Sequence, residues 1–374
     1  MRILVCPDKY KGSLPAHKVA DAIEEGLLAA NPSLCIDKAP MADGGDGTVD
    51  AFIAAMGGHK VEMTVTGPMG NPVSSFYGLV DDGKTAVIEM AAASGLAMVP
   101  RNKRNPMHTT SYGTGELIKA ALDGGCEKII IGIGGSATNE GGMGMMKALG
   151  MEFFDKDGNE LGTTAQDMLL VSYLYSDHLH PRLKEVEIQV ACDVNNPLCG
   201  PEGASSIFGP QKGATPAMIR ELDGGLWRFA KLIQQSLHVD ILELPGSGAA
   251  GGMGGGLVAL GGKLMMGTDI VIEAANLRQR AQEADLIITG EGATDRSTPF
   301  GKVPVAMAAL AREKGNKCIC IAGSVLNGYK PVYDMGVTAV FSAMNRPMNM
   351  DQAIQNAYAL VQDCAENVAR AMGL

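Results

Sequence analysis

Short apolar runs alternate along the chain with polar, glycine-containing loops and stretches of helical periodicity. Ile3-Leu4-Val5-Cys6, Ile129-Ile130-Ile131, Leu286-Ile287-Ile288-Thr289, Cys318 to Ala322 and Val337 to Phe341 are apolar over strand length but for Thr289 and Thr338. Such runs fill strands buried on both faces of a parallel sheet. With a strand near Cys35 to Lys38 they predict about six core strands. A first helix follows Ser13, a candidate N-cap, with Val19, Ile23, Leu27 and Ala30 at helical spacing before Asn31-Pro32. Helical patterns also cover Thr268 to Asp285 and Asp351 to Met372. Strand, polar loop, helix and strand in that order predict a doubly wound, Rossmann- or flavodoxin-like α/β domain with a parallel sheet.

Two regions break the rhythm. Val61, Met63 and Val65 alternate, and Val73 to Val80 and Thr85 to Met90 read as paired strands around Asp82-Gly83. From Met151 to about Leu264 the pattern is less regular, which points to a second α/β domain inserted into the first. The expected division is 1–58, 105–150 and 265–374 for the discontinuous Rossmann/flavodoxin-like domain, and 59–104 with 151–264 for the inserted mixed α/β domain. Gly78 to Thr85 fits the P-loop formula letter for letter, but a strand-like segment follows it and two aspartates occupy the loop. A phosphate-binding P-loop needs a helix there, so a hairpin is expected.

Composition narrows the class. A net charge of −10 over 374 residues argues against nucleic acid or an anionic membrane surface as partner. Glycine, 49 of 374 residues, is about twice its usual ~7% and clusters beside the apolar runs, signalling tight backbone loops. The eight cysteines form no C-x-x-C pair, and most read as core residues of a reducing compartment. The first apolar run is too short for a signal-peptide core, and no run of about 18 apolar residues exists. A cytoplasmic location without a membrane span is expected; the sequence is silent on oligomeric state.

The chemistry sits in the loops. Asp8, Lys9 and Lys11 follow the first strand, and Asp43 and Asp46 lie among glycines before a helix. Gly132 to Gly142, with Gly134, Gly135 and Ser136, joins a buried strand to a helix and is the strongest anion-cradle signal in the chain. Asp193 ends a strand, Lys212 lies on a tight loop, and Glu291, Asp295 and Lys302 follow Leu286 to Thr289. No G-x-S-x-G elbow or H-E-x-x-H motif occurs, which leaves hydrolase and zinc chemistry without support. Carboxylates, lysines and glycine loops suit phosphoryl transfer with Mg²⁺. A nucleotide-cofactor oxidoreductase and a non-catalytic sugar-acid sensor are the rival classes; against the first, no acidic residue closes the strand after the glycine loop.

The blocks Cys6 to Leu14, Met41 to Thr48, Gly132 to Asn139, Ala191 to Val194, Phe208 to Ala214 and Thr289 to Gly292 together resemble the bacterial type-1 glycerate kinase family. The resemblance implies ATP-dependent phosphorylation of D-glycerate at the 2-hydroxyl, with the 3-hydroxyl as alternative, and two α/β domains flanking an active-site cleft. It also implies ATP and Mg²⁺ as the ligands, with charged family positions at Asp8, Lys11, Asp43, Asp193, Glu291, Asp295 and Lys302. The roles expected are Asp193 or Asp295 as base with Lys11 assisting, and Glu291 and Asp43 toward the metal. Asp8, Asp43, Gly134, Gly135, Ser136, Lys212 and Lys302 are expected to hold substrate or phosphate. The chain departs from the family pattern at Lys9-Tyr10-Lys11 (Ser-Phe-Lys), Asp46 (Glu), Glu140 (Asp) and Ser297 (Gln).

Overall fold

A computed structural model describes residues 1–42 and 44–374; Asp43, expected to serve both substrate and metal, lies outside the described residues. In chain order the strands are β1 (Arg2–Pro7), β2 (Cys35–Lys38), β3 (His59–Thr66), β4 (Pro72–Val80), β5 (Thr85–Glu89), β6 (Lys128–Gly132) and β7 (Glu152–Phe154). There follow β8 (Tyr173–Tyr175), β9 (Glu187–Ala191), β10 (Lys263–Met265), β11 (Leu286–Thr294), β12 (Lys317–Val325) and β13 (Ala339–Ser342). The chain divides into two compact units. The first comprises the segment before Gly44, Asp50–Gly57 and Thr268–Leu374, and the second Gly44–Val49 and Gly58–Gly267.

The first unit carries a five-stranded sheet in the order β2-β1-β11-β12-β13, every pair parallel. Renumbered within the unit this is 2-1-3-4-5, the flavodoxin-like order, whose switch point lies between β1 and β11. Side chains alternate across the sheet. Ile3, Val5, Ile288, Ile319 and Ile321 pack with helices Ala16–Ala30 and Ala357–Met372. Leu4, Ile287 and Cys320 are left for the other face, where helix Val303–Lys314 covers β11 and β12.

β11 is longer than its apolar core. Gly290 to Thr294, expected as loop, continues the strand because β12 extends equally far and pairs Glu291 with Ala322 and Ala293 with Ser324. The glycines there make room for Tyr10, whose hydroxyl donates to Ile321 O at 2.7 Å. A Cβ at Gly292 would meet Tyr10 Cα at 3.2 Å.

The second unit holds a mixed six-stranded sheet, β10-β9-β6-β5-β4-β3. Its first four strands are parallel, and β4 and β3 add antiparallel at one edge. This corrects the expected domain division. Ile129 to Ile131 pairs with Ala86 to Ile88 and with Ile188 to Val190, so residues 105–150 belong to the second unit. An apolar run shows that a strand is buried; it carries no information on which of two parallel sheets receives it. The P-loop look-alike is the hairpin joining β4 to β5, with Asp81 and Asp82 both left-handed at φ 53° and 51°.

Several helix boundaries also differ. The first helix begins at Ala16 behind Pro15 with no side-chain cap, while the Ser13 amide closes a turn onto Tyr10 O. The 268–285 stretch is two helices, Gly267–Ala274 and Leu277–Glu283, separated where Asn276 turns left-handed at φ 50°. The last helix likewise divides into Met350–Gln355 and Ala357–Met372. All eight cysteines are free thiols. Among the described residues no helix is long and apolar enough to cross a membrane.

Candidate active site

In the first unit the loops at the carboxyl ends of β1 and β11 meet. The Asp8 amide donates to Gly290 O at 2.8 Å, and the Asp8 carboxylate accepts from the Lys9 amide at 2.7 Å. Lys11 is exposed on the tight turn that follows, where Tyr10 and Leu14 bridge. Glu291 is only 5% exposed. Its Oε1 accepts from the Thr298 hydroxyl at 2.6 Å, and its Oε2 lies 3.4 Å from Lys302 Nζ. Thr298 Oγ1 also accepts from the Asp295 amide at 3.1 Å, which fixes the direction of its own proton toward Glu291. Asp295 accepts from both the hydroxyl and the amide of Ser297 at 2.6 and 2.7 Å, and Lys302 Nζ stands 3.8 Å from it.

The two carboxylates are tuned apart. Burial raises the Glu291 pKa, and this outweighs the stabilising bonds from Thr298, Lys302 and Thr294. The Ser297 hydroxyl and amide hold Asp295 below the usual aspartate range. Lys302 reaches both from the position immediately before helix Val303–Lys314. The result is one buried and one solvated carboxylate sharing a half-exposed cation at the switch point of a parallel sheet.

In the second unit the glycine loop after β6 is held from several sides. Gly132 O accepts from Met90 N, Gly135 O from Leu96 N, Ala137 O from the Thr109 hydroxyl, and Thr138 O from Lys212 Nζ. Some of its amides are engaged as well, Gly134 N onto Gly44 O at 3.4 Å and Ala137 N onto Ser94 O at 2.9 Å, so an anion there would draw on the other donors of the loop. Gly132 is required by close approach: a Cβ there would lie 2.2 Å from Gly44 O. The Gly44–Gly47 turn packs against this loop and brings an Asp46 carboxylate oxygen within 3.8 Å of where a Cβ on Gly135 would be. Helix Thr48–Met56 then starts, and its Val49 amide donates to Glu89 at the end of β5 at 2.8 Å. Asp193, exposed beyond β9, accepts from the Gly267 amide at 2.9 Å.

Lys212 does not present its ammonium to solvent. It is 1% exposed and donates to Ser136 Oγ at 2.8 Å and Thr138 O at 2.6 Å. Burial lowers its pKa to about 7 against the opposing pull of Glu140. Glu140, fully buried, accepts from the Ser111 amide at 3.0 Å, and burial raises its carboxyl to about 7.

Residues 3–373 match the glycerate kinase family. The chain belongs to that family. It is 48% identical over 375 residues to the glycerate 2-kinase of Escherichia coli K12, covering 100% of this chain and 98% of that one. It is 47% identical to the glycerate kinase of Haemophilus influenzae, covering 100% and 99%. A crystal structure provisionally named glycerate kinase 2, from Salmonella typhimurium LT2, superposes with a TM-score of 0.92 at 49% identity, covering 100% of this chain and 98% of that one.

Against the family-based expectations, Asp8, Lys11, Glu291, Asp295 and Lys302 gather in the first unit, at the ends of β1 and β11. Gly134, Gly135, Ser136, Asp193 and Lys212 gather in the second, beyond β6 and β9. Lys212, expected to hold substrate or phosphate, has its ammonium enclosed and bonded to Ser136 and Thr138. Thr298 and Glu89 lie outside the sequence-based expectations. Glu89 had a legible signal, a carboxylate closing the apolar run Ala86-Val87-Ile88, whereas nothing adjacent in sequence marks Thr298 as the partner of Glu291.

Proposed function

We propose that the protein transfers the γ-phosphoryl group of ATP to the 2-hydroxyl of D-glycerate, giving 2-phosphoglycerate and ADP. The observation that carries this reading is the Glu291–Lys302–Asp295 cluster at the switch point, where a flavodoxin-like sheet receives its ligand. The family match supports phosphoryl transfer, and the name of the Escherichia coli relative favours the 2-position over the 3-position. Free thiols throughout the chain agree with a cytoplasmic setting.

Lys302 and Lys11 neutralise phosphate or substrate carboxylate, and the Gly134-Gly135-Ser136 loop donates to an anionic oxygen. Asp193 or Asp295 accepts the proton of the attacking hydroxyl, and the remaining loops orient the acceptor. Mg²⁺ takes one or two carboxylates together with phosphate oxygens. Glu291 fits that demand: its Oε2 has a 3.4 Å contact to Lys302, long for an ion pair, which a hard cation would displace. Glu291 and Asp43 would hold the ion. When bound with the nucleotide, Mg²⁺ offsets the charge shared by the β- and γ-phosphates.

The base is identified by comparing Asp193→Asn and Asp295→Asn in an ADP-release assay with glycerate, the product position being read by phosphorus NMR. Loss of about 100-fold or more in kcat is expected for one of the two. Near-normal turnover in both would remove the base assignment, and a 3-phosphoglycerate product would remove the 2-position.

A further inference from the structure

Ser136 sits at the centre of the glycine loop and is 7% exposed. Its hydroxyl oxygen receives the Lys212 ammonium at 2.8 Å. A protonated lysine has donors only, so in this contact Ser136 can only accept. The serine's own proton is thereby turned away from Lys212. Thr138 O, two residues on, is the second acceptor of the same ammonium at 2.6 Å, so one buried charge grips the loop at both ends of Ser136–Thr138. Lys212 is delivered there by the short turn Pro210–Lys212, closed by Gly213 at φ 92°. A Cβ on Gly213 would lie 2.2 Å from Arg104 O, so the turn is itself wedged against neighbouring backbone.

We propose that Lys212 is a positioning residue: by occupying the acceptor side of Ser136 Oγ it fixes the Ser136 hydroxyl as a donor to an anionic oxygen of the ligand. Lys212 touches neither substrate nor nucleotide and acts through Ser136. Burial works against the ammonium, and Glu140 is the group that pulls the other way. The proposal rests on the phosphoryl-transfer reading for the identity of the ligand, a carboxylate or phosphoryl oxygen.

A double-mutant cycle on the full chain tests it, using Lys212→Met, Ser136→Ala and the pair, with kcat and KM for glycerate and ATP and the melting temperature of each. Turnover by the unsubstituted protein is measured first. Its absence would sink the phosphoryl-transfer reading, and the cycle is then read on affinity for inorganic phosphate instead. Loss of one oriented donor costs on the order of 100-fold, so each single variant should fall by about that factor. The double variant should fall no further, against about 10⁴-fold for independent groups. Multiplying losses overturn the proposal, as does a Lys212→Met variant that melts lower but keeps kcat and KM. Should Lys212→Met fail to fold, Lys212→Arg, which keeps the charge and the donors, enters the same cycle. Its loss must then vanish in the Ser136→Ala background, and persistence of that loss overturns the idea.

Discussion

The two clusters of strand-end residues use similar side chains in opposite ways. In the flavodoxin-like unit, Lys302 is 43% exposed and stands 3.4 and 3.8 Å from its carboxylates, contacts loose enough to be exchanged for a ligand's charges. In the larger unit, Lys212 and Glu140 are enclosed, and Lys212 is bonded at 2.6 and 2.8 Å. A charge that keeps contact with solvent can be redirected to an incoming anion or cation at little cost. An enclosed charge is committed to the groups that repay its desolvation, so it shapes the site without entering it. Residue type alone does not separate a binding lysine from a structural one; burial and the direction of the ammonium do.

The comparison breaks most severely at Gly132. Its backbone and that of Gly44 meet so closely that an added methyl would lie 2.2 Å from a carbonyl oxygen. Gly132→Ala should therefore separate the two loops, cost about 1–3 kcal/mol in urea unfolding, and lower kcat by at least about 100-fold. An active, fully stable Gly132→Ala would mean that the loops can part without penalty, and the larger unit would lose its description as a rigidly held site. Glu291→Gln probes the other cluster with a smaller structural effect. The amide keeps a partner for the Thr298 hydroxyl and removes the charge. About a 100-fold loss in kcat is expected, with a melting temperature within a few degrees of the original. A large drop in stability with kcat retained would place Glu291 among the structural charges, on the same footing as Glu140.

The same division explains what the sequence discloses. Ile3 to Cys6 and Leu286 to Thr289 are legible as neighbours of one parallel sheet because their apolarity has a single physical use, and the loops at their ends follow by the geometry of such sheets. Ile129 to Ile131 carries the same pattern and belongs to the other sheet. Sheet membership is decided by which strands lie beside it, and no local periodicity encodes that. Glu291, Asp295 and Lys302 lie within a dozen residues of one another and can be read together. Lys212 and Ser136 are separated by 76 residues, and their bond exists only once β6, β9 and the intervening turns are in place. Typed as a charged residue on a tight glycine-flanked loop, Lys212 looks like a phosphate ligand; its 1% exposure is a fact that no local pattern carries.

The smallest expected effect, and the sharpest for the enclosed cluster, is a pH-dependent shift in stability at Glu140. Its carboxyl has a pKa of about 7 in the folded chain against an ordinary 4.5. Between those values the folded protein holds a proton that the unfolded chain has released. Stability contributed by this group is therefore present below about pH 4.5, declines as pH rises to about 7, and then levels off. Glu140→Gln has no such proton to lose. Its melting temperature, relative to the original protein, should shift upward by a few degrees between pH 5 and pH 7. Lys212, lowered to about 7, contributes in the opposite sense only above that pH, because there the unfolded chain binds the extra proton. Because Glu140 holds the Lys212 value up, removing it draws Lys212 toward the same window, and the two contributions to the variant's upward shift have the same sign. A gap that stays constant across the window would show that Glu140 is ionised throughout and permanently paired with Lys212. The glycine loop would then be held by a charge pair insensitive to neutral pH, and the contrast with the solvent-coupled Lys302 cluster would become sharper still.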